Sequence, residues 1–258
     1  MKKIFWAAAA FCVISISSCK KNDTTTPTTP TNNPPQVSTP ADGFGVIGVV
    51  RAQASYTTPS VPGVPSMDLD YNIGTAFAAF STNAGATSFV DAGNVSVNDS
   101  ALTKASNNSY AFAPKGASTG SDIGLNTGGS TYNWTITGSS SVTAFTYAAS
   151  GTLPSIGKIN SAKDINTANS YTITLSAPAS NCDSIIWLMA GPSGSVQHTT
   201  GAGVSSYSFT AAEVGSLGKG DNAGLVQVAP YRVTDFTKNG KKYYYVRESC
   251  ATKFVNLQ

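Results

Sequence analysis

The feature that most restricts this chain is its period-two alternation of apolar and polar residues, cut at short intervals by glycine, asparagine and aspartate. Asp68-Leu69-Asp70-Tyr71-Asn72-Ile73 puts its apolar side chains on one face of an extended segment, and Tyr132-Asn133-Trp134-Thr135-Ile136 does the same with larger residues. A helical bundle needs a charged face at helical spacing, and the residues for one are missing. Glutamate occurs twice, at Glu213 and Glu248, and charged residues make up 11% of the chain. The polar positions are filled instead by 33 serines and 30 threonines. The pattern predicts an all-β chain.

Strands are expected over 45–54, 68–80, 88–97, 110–113, 132–137 and 142–147, with Asn98-Asp99 as a turn. A looser stretch at 150–169, holding Gly151, Pro154 and Gly157, suggests a boundary between two β-sandwich domains, 42–155 and 156–258. The second block shows strand pattern over 171–176, 184–190, 195–199, 206–210, 224–229, 231–236, 242–247 and 252–257, with one helical turn over 211–217. In spacing alone this block resembles the immunoglobulin- or PKD-like modules of secreted bacterial proteins, which implies an Ig-like sandwich.

The N-terminus reads differently. Lys2 and Lys3 precede an apolar run from Ile4 to Ile16, too short to span a bilayer, which takes about 20 helical residues, but suited to a secretory signal. Ile16-Ser17-Ser18-Cys19 resembles the lipobox of bacterial lipoproteins. The resemblance implies a signal peptide over 1–18, cleavage before Cys19 and acylation of its thiol. In enterobacterial lipoproteins an aspartate after the cysteine favours inner-membrane retention; Lys20 stands there, which by that resemblance implies an outer-membrane lipoprotein, on the periplasmic face or the cell surface. The opening CKKND before a Thr/Pro tract resembles Bacteroidota-type lipoproteins. Residues 19–41 form a flexible Thr/Pro linker in which no residue can build a core. Asp23-Thr24-Thr25 and Asp99-Ser100-Ala101 resemble the O-glycosylation acceptors of the same group, making Thr24 and Ser100 candidate sites.

Processing simplifies the rest. Without Lys2 and Lys3 the 16 basic residues become 14 against 13 acidic, leaving no basic stripe for nucleic acid. Cys12 leaves with the signal and Cys19 takes the lipid, so Cys182 and Cys250 remain as a disulfide candidate. Such a bond would restrict the unfolded chain by roughly 4 kcal/mol in the loop-entropy model.

Catalytic patterns are thin. His198 is the one histidine, and Gly191-Pro192-Ser193-Gly194-Ser195 lacks the last glycine of a nucleophile elbow, so it reads as a turn. Asp68-x-Asp70-x-Asn72 begins like a calcium loop, but the glycine and glutamate that such a loop needs are replaced by Ile73 and Ala79. No cofactor and no metal is expected. A carboxylate-dependent hydrolase is the least supported reading. The strongest local signal is Asn239-Gly240, a type I′ hairpin turn that pairs Phe236 with Tyr243, Thr234 with Tyr245 and Arg232 with Arg247 on one face, and Val233 with Val246 on the other. With the valine face as core, Phe236, Tyr243, Tyr245, Arg232 and Arg247 form a candidate ligand face for sugar rings or a partner protein. The alternative is that this face packs on the first domain. The expectation as a whole is a lipid-anchored envelope protein displaying non-catalytic modules for binding, adhesion or scaffolding, with a carbohydrate-binding accessory role as the alternative.

Overall fold

The computed structural model describes residues 41–57, 68–112 and 122–258. The signal segment, Cys19, Thr24 and the tether to residue 40 lie outside the described residues. The chain is all-β. Its first block holds β1 (Gly45–Thr57), β2 (Asp68–Phe80), β3 (Val95–Val97), β4 (Ser100–Ala101), β5 (Thr103–Lys104), β6 (Tyr110–Ala111), β7 (Asp122–Gly124), β8 (Thr131–Ile136) and β9 (Phe145–Ser150). Then come β10 (Asp164–Ile165), β11 (Tyr171–Thr174), β12 (Ser184–Gly191), β13 (Gly194–Gly201), β14 (Ser206–Phe209), α1 (Ala211–Gly215), β15 (Gly220–Lys238) and β16 (Lys241–Leu257).

The last two strands organise the molecule. Asn239 and Gly240 have φ of +52° and +72°, the left-handed pair that a type I′ turn requires, and the hairpin runs in the register the sequence predicts. The sequence pattern predicts each of these strands in two pieces, 224–229 and 231–236 for the first and 242–247 and 252–257 for the second. In the structure the strands continue: the pairing lapses at Ala229 and Pro230, between Val228↔Ala251 and Tyr231↔Glu248, and again at a bulge between Gly220 and Gly224. β16 also pairs in parallel with β1, from Val46↔Tyr244 to Ala54↔Thr252, and β1 pairs with β2 along its whole length. A ten-stranded sheet results, in the order β13-β12-β15-β16-β1-β2-β6-β5, with β10 on β16 and β7 on β2. This sheet is shared by strands from both sides of residue 155, so the expected boundary there is no break in the hydrogen bonding.

One face of the sheet carries two cores side by side along β16. Over its first half, Ile47, Val49, Phe80, Tyr243 and Tyr245 pack with Tyr132, Trp134, Ile136 and Phe145 of the four-stranded sheet β4-β3-β8-β9. Over its second half, Trp187, Met189, Val226, Val228 and Val255 pack with Ile173 and Phe209 of the β11–β14 pair and with Val214 of α1. The opposite face is also apolar and buried in its middle, through Val46, Val50, Phe77 and Val246 and then Ile186, Ala229, Tyr231 and Cys250. The expected strand over 88–97 is reduced to Val95–Val97, and that over 142–147 starts three residues later, at Phe145.

Candidate functional site

The proposed ligand face exists in register but not in exposure. Tyr243 and Tyr245 are 2% and 0% exposed and belong to the first core, with Phe236 half-buried against them. Phe145 and Tyr147 of β9 cover them. Tyr147 stacks on Phe236 at 3.7 Å between ring centroids, and Phe145 lies 5.0 Å from Tyr243. Five aromatic rings thus close one lobe, and the alternative of packing on the first block is the one realised. Burial raises the pKa of the Tyr245 hydroxyl, which has no hydrogen-bond partner among the described residues.

The two arginines separate. Arg232 stays at the surface, 3.5 Å from Asp183 and donating to Asn181 Oδ1 at 3.1 Å. Arg247 is 6% exposed and points into the seam between the two cores. There it donates to the Thr152 carbonyl at 3.1 Å, while Arg51 donates to the Pro154 carbonyl at 3.0 Å and Ser249 Oγ to the same oxygen at 2.6 Å. Gly151 makes this possible: its φ is +110°, and a Cβ there would lie 1.9 Å from Arg247 Nη1. The segment that the sequence marks as a loose linker is therefore riveted to the central strands.

The expected Cys182–Cys250 disulfide is not formed. Cys182 lies two residues before β12 and Cys250 is in β16, with β15 between those strands, and two interstrand spacings of about 4.8 Å together exceed the roughly 7 Å that a disulfide spans between Cα atoms. Ser184, Tyr231 and Glu248 form one row across the sheet, and Cys182 and Cys250 lie on opposite sides of it. Burial and the neighbouring Asp183 both push the Cys182 thiol up.

His198 is held by a helix cap. Its Nε2 lies 2.6 Å from Glu213 Oε1, and Glu213 Oε2 accepts from the backbone N–H and hydroxyl of Thr210, completing a capping box on α1. The Thr210 N–H, the His198 ring and the Thr210 hydroxyl hold the Glu213 carboxyl below its usual range. The imidazole stacks on Tyr207, which stacks in turn on Trp187. β2 runs through Asp68-x-Asp70-x-Asn72 as regular strand, not as a calcium loop. Among the described residues no three His, Cys, Asp or Glu side chains gather into a metal-binding group. Ser100 is half-buried directly after the Asn98-Asp99 turn, whose φ values are +44° and +62°.

Sequence reading misses Glu248. It is 3% exposed, its Oε1 has no partner among the described residues, and burial pushes its carboxyl up to about 8. Tyr231 and Val50 are its cross-strand neighbours. The signal was available: Glu248 is two residues from Val246, on the hairpin face assigned to the core. The carboxyl is enclosed by the central strands of the sheet. No protein-family model matches the chain, and no curated protein matches it either.

Proposed function

We propose that this chain is a lipid-anchored outer-membrane protein that displays a rigid, non-catalytic β-module for binding, adhesion or scaffolding. One observation carries the reading: the point where the tether would join the fold is built as a grip. β1 is an inner strand held by β16 on one side and β2 on the other, so a pull along it opposes two ladders at once. Just before it, Asp42 accepts hydrogen bonds from Tyr244 at 2.5 Å and Lys242 at 2.9 Å. The two cores, each between the long sheet and a smaller one, fit a pair of Ig-like sandwiches fused through a common sheet. The non-catalytic assignment draws on His198 and Glu248, the first committed to a helix cap and the second sealed in the sheet. Replacing Cys19→Ser tests the anchor: the protein should move from the membrane fraction to the soluble one, and continued anchoring refutes the lipidation.

Carbohydrate binding is the second reading. The aromatics that first suggested it are core, but Phe254 is 43% exposed on the open end of the second face, opposite Leu225 in the ladder. A polysaccharide pull-down that is weakened by Phe254→Ala supports this role, and one that is indifferent to the substitution removes it.

A further inference from the structure

The two borders of the ten-stranded sheet are built differently. The β5 border is two residues long and carries Lys104, bound to Asp91 at 2.7 Å, so it is short and charged in the way that discourages pairing. The β13 border has none of these guards. Its eight residues, Gly-Ser-Val-Gln-His-Thr-Thr-Gly, include no lysine, acid or proline, and they pair with β12 without a bulge from Gly194 to Gly201. Ser195, Gln197 and Thr199 are exposed, and nothing lies within 4 Å of the Cβ positions at Gly194 or Gly201. Among the described residues no backbone hydrogen bond reaches this strand from outside its own ladder. A row of outward N–H and C=O groups is a template for another strand.

We propose that β13 pairs antiparallel with β13 of a second copy of this chain, about a two-fold axis normal to the sheet at Gln197. Three points select a second copy as the occupant. The strand has no formal charge, so two copies meet without like-charge repulsion. The axis sets Gln197 opposite Gln197, and Ser195 opposite Thr199, pairs whose amides and hydroxyls are mutually complementary. It also keeps the side-chain alternation in phase: Val196, which packs on the second core, stays on the core side, and the exposed Ser/Gln/Thr row stays continuous across the junction. The product is one sheet running through both copies.

The test is sedimentation velocity of the chain carrying Cys19→Ser, from micromolar to hundreds of micromolar. The expected result is a concentration-dependent doubling of mass. Adding Gln197→Lys sets two ammonium groups against each other at the axis and should return the monomer mass with an unchanged circular dichroism spectrum. Should that variant fail to fold, Thr199→Lys puts the charge at another exposed position of the same border and should act alike. Phe254→Ala should leave the dimer intact. A monomer at every concentration overturns the proposal, as does a dimer that survives the lysine variants or one that Phe254→Ala dissolves.

Discussion

The two cores lie on one face of one sheet, yet they are closed by different means. The first is aromatic: Phe80, Tyr243 and Tyr245 of the long sheet meet Tyr132, Trp134 and Phe145 of the four-stranded sheet, and among the described residues Trp134 Nε1 and the Tyr245 hydroxyl have no partners. The second is mainly aliphatic and is covered by two short strands and a one-turn helix. Its tryptophan is satisfied, Trp187 Nε1 donating to Thr200 Oγ1 at 2.9 Å, and its helix is pinned by a complete capping box. Tyr132 and Tyr110 of the same core are hydrogen-bonded, so the two orphaned groups carry an uncompensated desolvation cost. A small cover has less area to contribute, and the second core instead satisfies its polar groups.

The comparison is broken most directly by truncating the two tryptophans. Trp134→Ala and Trp187→Ala should each cost about 3–5 kcal/mol, as large core deletions do. Because both cores rest on β16, each variant should lower one shared unfolding transition; two separate transitions in a calorimetric melt would make the cores independent units.

Glu248→Gln is next and acts on the opposite face of that strand. Its folded-state pKa of about 8 exceeds the ordinary carboxyl value of 4.5, so the folded protein holds a proton that the unfolded chain releases between those values. Stability should therefore fall as pH rises through that window. The glutamine variant lacks the slope, and its denaturation midpoint should exceed the native one in mildly alkaline buffer by more than in mildly acidic buffer.

Gly151→Ala probes the seam between the cores. It forces a side chain into a left-handed conformation and against Arg247, and should cost about 1–3 kcal/mol. Equilibrium unfolding measures the loss. The smallest effect belongs to Tyr245→Phe, which removes an unpartnered buried hydroxyl and keeps the ring. Stability should stay within about 0.5 kcal/mol of the native protein or rise, whereas a clear loss would mean that the hydroxyl has a partner in solution.

Much of the secondary structure was legible in sequence because strands and turns are local. The residues 68–80 are a strand over the predicted span, Asn239-Gly240 forms the predicted turn, and the hairpin register follows from it pair by pair. The short strands β4, β5, β7 and β10 were not legible, since two or three residues carry no period and owe their conformation to a neighbour. The candidate ligand face failed for a related reason. Tyr243 and Tyr245 alternate with Tyr244 and Val246, so both faces of the hairpin are apolar, a pattern that suits a strand covered on both sides. Choosing the valine face as core left the aromatic face outside, when β9 covers it too.

By itself, the sequence determined an all-β chain, the places of its turns and the pairing of its last two strands, because backbone preference and side-chain alternation act between residues close along the chain. Only the tertiary structure decided that β1 would lie parallel to β16, that Cys182 and Cys250 would stand apart, that Arg247 would be buried against a linker carbonyl and that β13 would be left as an open border. Each of these depends on which strand neighbours which. That order is set by contacts between segments remote in sequence, where burial of whole faces outweighs any local pattern.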